Sequence, residues 1–242
     1  SSDLVVVKHR QHQQAGIRLV VTRQINLVRI DNEVFAQDRL WRYLADNRQK
    51  IKDLSHLGAY HNWVERSFPA EIAEGERQRH LWRLDTLNGR NYLLLLSPEK
   101  PDLHELERYG KPGTAISKDY EPFLSRLSEG QLLQFKLTAN PVRRGGKSSS
   151  HPGSLIPCFA VDEQMKWLQG KAEKKGFELV AAEVVGHDRP LLRKKTHVAL
   201  NRTVFEGRLK ISNLDQFKVM LTSGIGREKA FGMGLMTVIP VD

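Results

Sequence analysis

The chain has 242 residues, with 38 Lys and Arg against 28 Asp and Glu, nine His and a single Cys. A formal net charge of +10 points to a polyanionic partner, nucleic acid before a membrane surface. No apolar run reaches the ~20 residues that a membrane-spanning helix needs. The lone Cys158 excludes an intramolecular disulfide and a cysteine-built zinc site, and it suits a reducing cytoplasm.

Residues 1–24 hold two short apolar runs, 4–7 and 17–22, that read as strands around a glutamine-rich basic stretch. Ser1 to Asp3 do not resemble a secretory signal, and no function is assigned to this segment. Residues 25–30 alternate apolar and polar, as a half-buried strand does. Residues 37–43 and 47–68 read as helical, with a boundary at Pro69. In the second helix Ile51, Leu54, Leu57, Val64 and Phe68 recur at helical spacing, which predicts that His61 lies within an apolar stripe and His56 nearly opposite. A titratable residue where a core residue is due marks His61, although on this pattern alone a histidine satisfied inside the core is the commoner case.

Residues 79–85 and 91–96 are apolar-rich runs separated by Asn88-Gly89, a strong hairpin signal. A polar connection over 98–112 follows, partly helical, and then an alternating strand over 131–138. Residues 140–153 are the most loop-like part of the chain: Arg143, Arg144 and Lys147 stand among Gly and Ser, as in a solvated loop or one that folds onto a phosphate backbone. A helix is expected over 162–176 and a strand over 177–181. The basic ribbon that follows contains Arg189, Arg193, Lys194 and Lys195; beyond it come a strand over 204–211 and a helix over 213–223. The order fits two tandem ferredoxin-like β-α-β-β-α-β domains in an α+β chain, with boundaries at 25–125 and 126–242.

The chain closes on GIGREKAFGMG at 224–234 and an apolar strand. Four glycines around Arg227 and Lys229 allow positive φ and a close backbone approach, which suits phosphate; a glycine-rich turn before a last strand has the same composition. A Walker loop is excluded because Gly226 is followed by Arg227-Glu228 rather than Lys and a hydroxyl residue. A dinucleotide fingerprint is excluded because its third glycine would fall on Lys229.

Taken together, the stretches NRQKIKDLSHLGAYHNWVE at 47–65, LWRL at 81–84, FKLTANP at 135–141 and the closing GIG at 224–226 resemble the CRISPR-associated endoribonucleases of the type I-E system, members of the RAMP superfamily. EQMKWL at 163–168 and VFEGRL at 204–209 add lesser matches, and the set spans roughly the last 200 residues in the family's order. The resemblance implies tandem ferredoxin-like domains and cleavage of precursor CRISPR RNA at each repeat stem-loop without metal or other cofactor. It also implies retention of the product within the type I-E surveillance complex alongside its other subunits. His61 matches the family's catalytic histidine, and Tyr60 is its neighbour; a tyrosine found three residues earlier in some relatives is Gly58 here. Arg143, Arg144, Lys147, Arg189, Arg193, Lys194, Lys195, Gly224, Gly226, Arg227 and Lys229 are then the RNA-binding candidates, with His151 and His197 as lesser helpers.

In such a reaction the substrate's 2′-hydroxyl attacks the adjacent phosphorus and the 5′-oxygen leaves. One group takes a proton, another gives one, and cations stabilise the phosphorane. Histidine suits either proton task, and the sequence does not choose between acid and base. A non-catalytic RNA-binding subunit of the same fold is the alternative. A phosphoesterase with paired His-x-Ser/Thr motifs is disfavoured, because none of the nine histidines is followed two residues later by Ser or Thr.

Overall fold

A computed structural model describes residues 23–30, 54, 56–146, 152–193 and 199–241. The expected strands within 1–22, the helix over 37–43 and the first part of the helix over 47–68 lie outside the described residues.

The alternating run at the start becomes strand β1 (Gln24–Arg29), which pairs antiparallel with β3 (Arg90–Ser97) and β4 (Ile116–Asp119). β3 pairs in turn with β2 (Leu81–Leu87). The hairpin between them turns on Asn88 (φ 51) and Gly89 (φ 68), the left-handed pair that a two-residue turn matching strand twist requires. Helix α1 (Leu57–Arg66) precedes β2, and the short α2 (Pro69–Glu74) begins on Pro69, whose missing N–H costs nothing at a first helical position. The polar connection contains α3 (Leu103–Leu106), capped by the Asp102 carboxylate. α4 (Glu121–Leu124) leaves the first sheet, whose order is β2-β3-β1-β4.

The second sheet has the order β10-β5-β9-β8, all antiparallel. It is built from β5 (Leu132–Ala139), β8 (Phe177–Asp188), β9 (Arg202–Ile211) and β10 (Met236–Pro240). Helix α5 (Val161–Ala172) connects β5 to β8, and α6 (Leu214–Ser223), capped by Asn213, connects β9 to β10. Numbered within each unit, both sheets read 4-1-3-2, the order of a ferredoxin-like β-α-β-β-α-β unit. Two features depart from the sequence reading. The segment expected to be a loop after β5 contains a small antiparallel pair, β6 (Val142–Arg144) with β7 (Leu155–Pro157), so Arg143 and Arg144 sit on a strand. β8 runs to Asp188, well past the expected end, with register shifts at Leu179/Ala181 and Val184/Gly186 that keep it paired with β9.

The units interlock. Along β2 successive side chains point to opposite faces: Leu81 enters the core of the second sheet with Phe135, Phe177, Phe205 and Phe217, while Trp82 enters the core around α1 with Trp63, Leu93 and Leu95. Met233, from the closing glycine loop, is buried in that first core. Arg83 follows Leu81 on the second-sheet face. It is 3 % exposed and donates to the carbonyls of Lys136 (2.9 Å) and Leu235 (3.1 Å), to Thr237 Oγ1 (2.8 Å) and to the Asp85 carboxylate (2.8–3.1 Å). A cation on one sheet thus satisfies backbone oxygens of the other.

Candidate active site

Helix α1 carries both catalytic candidates. Its N-cap, His56, makes no side-chain cap, and the first amides find partners elsewhere: Leu57 and Gly58 N–H donate to the carbonyls of Leu191 and Leu192 at 2.9 and 3.0 Å. Those carbonyls belong to the segment just after β8, so the start of the basic ribbon seats the start of the helix. A Cβ at residue 58 would stand 2.9 Å from the Leu192 oxygen, which accounts for a glycine where the resemblance suggests tyrosine.

The buried residues of α1 are Leu57, Ala59, Trp63 and Val64. This corrects the expected stripe: it centres nearer Tyr60, and His61 lies on its margin with 27 % of its side chain exposed. Tyr60 stacks on Trp82 with ring centres 5.9 Å apart. It lines a cleft of about 460 Å³ together with Arg83, Asp85, His187, Asp188 and Arg202. Burial pushes the Tyr60 phenol up from its ordinary value, and the Arg202 charge opposes this.

His61 is outside that cleft's lining and packs edge-on against Phe231 at 5.3 Å between ring centres. Its Nδ1 is 3.9 Å from Glu65 Oε1. Burial lowers its pKa; Arg77 and His80 add to the lowering, and Glu65 and a hydrogen bond to the Ala230 carbonyl oppose it. Two consecutive helix residues therefore shift oppositely, the imidazole toward its neutral form and the phenol toward holding its proton.

The closing loop folds onto this site. Trp82 Nε1 donates to the Ala230 carbonyl at 3.0 Å, and a Cβ at Gly232 (φ 77) would fall 2.6 Å from the Trp82 ring. The idea that the loop's amides cradle phosphate is corrected in part. Ile225 N–H bonds the Gly234 carbonyl (2.9 Å) and Gly234 N–H bonds the Thr138 carbonyl (2.6 Å), so these donors hold the loop to itself and to β5. What the loop presents outward is charge. Arg227 and Lys229 join Arg144, Lys171 and Lys175 around a groove of about 350 Å³ that includes Trp167, Gly224 and Gly226 and no carboxylate among its described lining residues. Lys171 lies over the Trp167 ring at 5.8 Å. Burial lowers the Lys229 pKa, and the nearby charges of Arg79, Lys175 and Lys171 lower it further. Lys229 faces this groove while the next two residues, Ala230 and Phe231, touch His61, so one 3-10 turn (Lys229–Phe231) joins groove and helix.

The other candidates are more dispersed. Arg143 is paired with Glu163 at 3.1 Å, and Arg189 lies over the Phe159 ring at 5.5 Å. Arg193 is exposed; Lys147, His151, Lys194, Lys195 and His197 lie outside the described residues. Sequence reading missed Lys171 and Lys175, whose four-residue spacing along a helix and the turn after it places two cations on one face. It also missed Glu65 and His80, whose meeting depends on the fold.

Residues 40–240 match the family described as CRISPR associated protein. The chain is 28% identical over 209 residues to the CRISPR-associated endoribonuclease Cse3 of Thermus thermophilus, covering 80% of this chain and 95% of that protein. A Cse3 structure bound to a 19-nucleotide RNA superposes with a TM-score of 0.69 at 25% identity, over 91% of this chain and 100% of that one. Cas6e from Escherichia coli K-12, at 18% identity and a TM-score of 0.59 over 90% of this chain and 100% of that one, shares the fold. Among the described residues no helix is long and apolar enough to cross a membrane. The interlocked ferredoxin-like pair and the match across both sheets identify the chain as a member of the CRISPR associated protein family, similar to Cse3 of Thermus thermophilus.

Proposed function

We propose that this protein binds the stem-loop of a CRISPR repeat and cleaves precursor CRISPR RNA without a metal ion, then stays on its product as a subunit of the type I-E surveillance complex in the cytoplasm. Supporting this reading are the endoribonuclease activity named for the Thermus thermophilus relative, the RNA bound to Cse3, and a fold shared with a chain of a CRISPR RNA-guided surveillance complex. The observation that carries it is the placement of His61: on the rim of the core, partly exposed, held toward its neutral form, and joined by one turn to a groove of five cations.

In this reading His61 is the base. It takes the proton of the 2′-hydroxyl as that oxygen attacks phosphorus; the bond to the 5′-oxygen breaks and that oxygen takes a proton from water, leaving a 2′,3′-cyclic phosphate and a 5′-hydroxyl. The His61 imidazolium gives its proton back to the hydroxide so formed. Tyr60, which burial keeps protonated, donates a hydrogen bond to the scissile phosphate or the leaving oxygen. Arg144, Arg227 and Lys229, with Gly224 and Gly226 shaping the groove, track backbone phosphates. Arg143, Lys147, Arg189, Arg193, Lys194 and Lys195 extend that grip along the stem. An A-form major groove is too narrow for side chains to read bases, so these cations act on phosphate. Residues 25–125 then form a unit carrying the catalytic helix and 126–242 one carrying the RNA-gripping surface, with 1–24 given no role.

The test is cleavage of a repeat stem-loop in the presence of EDTA by the parent and by His61→Ala. The variant is expected to bind within a few-fold of the parent and to cut ~10²–10⁴ times more slowly, the range for losing a general acid or base. Cleavage equal to the parent's leaves only an RNA-binding role for His61, and a requirement for magnesium overturns the mechanism.

A further inference from the structure

His80 lies just before β2 with only 1 % of its side chain exposed. Its Nδ1 is 3.2 Å from Glu65 Oε1 and its Nε2 is 3.1 Å from Glu71 Oε1, while its ring stacks on Phe68 at 3.8 Å and 9°. A neutral imidazole has one N–H and one lone pair. Each ring nitrogen thus faces a carboxylate oxygen at hydrogen-bond distance, an arrangement in which an imidazolium can donate to both acids at once. Glu71 is held further by the Gln78 N–H, which donates to its Oε2 at 2.9 Å, and the two acids are 17 % and 12 % exposed.

Glu65 is where the clamp meets the catalytic candidate. The same Oε1 that accepts from His80 is 3.9 Å from His61 Nδ1, and Oε2 is 3.7 Å from Arg77. Burial opposes the charge on Glu65, but the hydrogen bond from His80 and the charges of His80, His61 and Arg77 outweigh it and hold its pKa below the ordinary carboxylate value. Among the described residues, the groups facing His61 are thus Glu65 from its own helix, Arg77 and His80 from the segment leading into β2, and the Ala230 carbonyl and Phe231 ring from the 3-10 turn. Glu65 is the one anion among them.

We propose that Glu65 is a positioning residue for His61, and that His80, clamped between Glu65 and Glu71, fixes the Glu65 carboxylate and offsets its charge. The inference rests on His61 being the catalytic histidine. In a catalytic histidine–carboxylate pair the acid orients the ring and stabilises the imidazolium that forms on proton uptake. An uncompensated Glu65 would also raise the affinity of His61 for a proton before substrate arrives. The buried His80 cation limits that rise, so the ring stays available as a base and the acid stays in place.

The full chain is tested by nitrogen-15 and carbon-13 NMR of its histidine rings across pH 5–9, alongside single-turnover cleavage of a repeat stem-loop over the same range. In the parent, His80 is expected to show two protonated ring nitrogens at neutral pH; a His80 ring with one bare nitrogen overturns the clamp, and this readout needs no variant. Glu65→Gln keeps the shape and removes the charge, so the His61 midpoint is expected to fall by about one pH unit, the low end for losing an opposite charge at this range. His80→Gln removes a cation and is expected to move the His61 midpoint upward. Opposite directions mark electrostatic positioning. Midpoints that stay at the parent's value or both move the same way overturn the proposal, and the pH profile of cleavage is expected to follow the His61 midpoint. Parent-like cleavage by His61→Ala would sink the catalytic assignment separately, without altering how the His61 ring titrates in the parent or in Glu65→Gln.

Discussion

Arg83→Met removes the charge that ties the two sheets together while keeping most of the side chain's apolar length. The guanidinium it deletes serves four acceptors: the Asp85 carboxylate, the Lys136 and Leu235 carbonyls and Thr237 Oγ1. Removing one partner of a buried ion pair costs roughly 3–5 kcal/mol, because the other charge is left uncompensated. Here Asp85 retains 23 % exposure and has Lys136 Nζ at 3.7 Å, which places the cost at the lower end, about 3 kcal/mol. Arg83→Lys restores the charge without the planar fork, so it is expected to recover only part of the loss. Urea unfolding of the parent, Arg83→Met, Asp85→Asn and the double variant measures both the cost and the coupling between the pair. An Arg83→Met variant within about 1 kcal/mol of the parent would refute the reasoning, since losing a buried charge that spans the sheets should exceed that.

Three further outcomes follow from the same geometry. Gly232→Ala places a Cβ at positive φ and against the Trp82 ring, so it is expected to lower stability by at least ~1–3 kcal/mol, the cost of a strained backbone position, and to disturb the Tyr60 stack seen by Trp fluorescence. Arg144→Ala, Lys171→Ala and Arg227→Ala combined are expected to reduce the log–log salt slope of stem-loop binding by about 2–3, at roughly 0.7–0.9 per phosphate contact; an unchanged slope puts the RNA path elsewhere. On acidification, His61 takes up its proton more readily unfolded than folded. Its contribution to stability is therefore lost as pH falls below its ordinary value of about 6.5, and that of Glu65 as pH falls from its ordinary 4.5 through its lowered folded value. Subtracting the stability-against-pH curve of His61→Ala from the parent's should isolate the first limb and cancel the second.

The order of elements was legible because local chemistry dictates it. Asn88-Gly89 makes the hairpin, Asn213 and Gly224 bracket α6, and the alternation over 131–138 is β5. β6, β7 and the far half of β8 were not legible, because two of them are three-residue strands and the third persists only through register shifts against β9. His61 was singled out by a stripe that the fold then re-centred: Trp63 is buried against α3, its Nε1 donating to the Leu106 carbonyl, a contact that no helical wheel contains. Glu65, His80 and Glu71 look like ordinary surface polar residues in the sequence, and only the return of the chain ahead of β2 brings them together. The groove was half legible, since Arg227 and Lys229 were named from the glycine loop whereas Lys171 and Lys175 arrive from α5 and the turn after it.

The helix bearing His61 begins on two amides whose acceptors, Leu191 and Leu192, precede the charged end of the ribbon. An α-helix cannot shift along its axis without breaking such terminal bonds, so its axial position is fixed by a segment some 130 residues downstream. If the ribbon holds the RNA stem, a tug on that stem is transmitted to the frame of the catalytic helix. Grip and cut would then share a tolerance: an RNA whose stem seats the ribbon poorly would bind almost as well yet turn over slowly. Such a device selects its substrate by the rate of the chemical step, and it needs no base to be read.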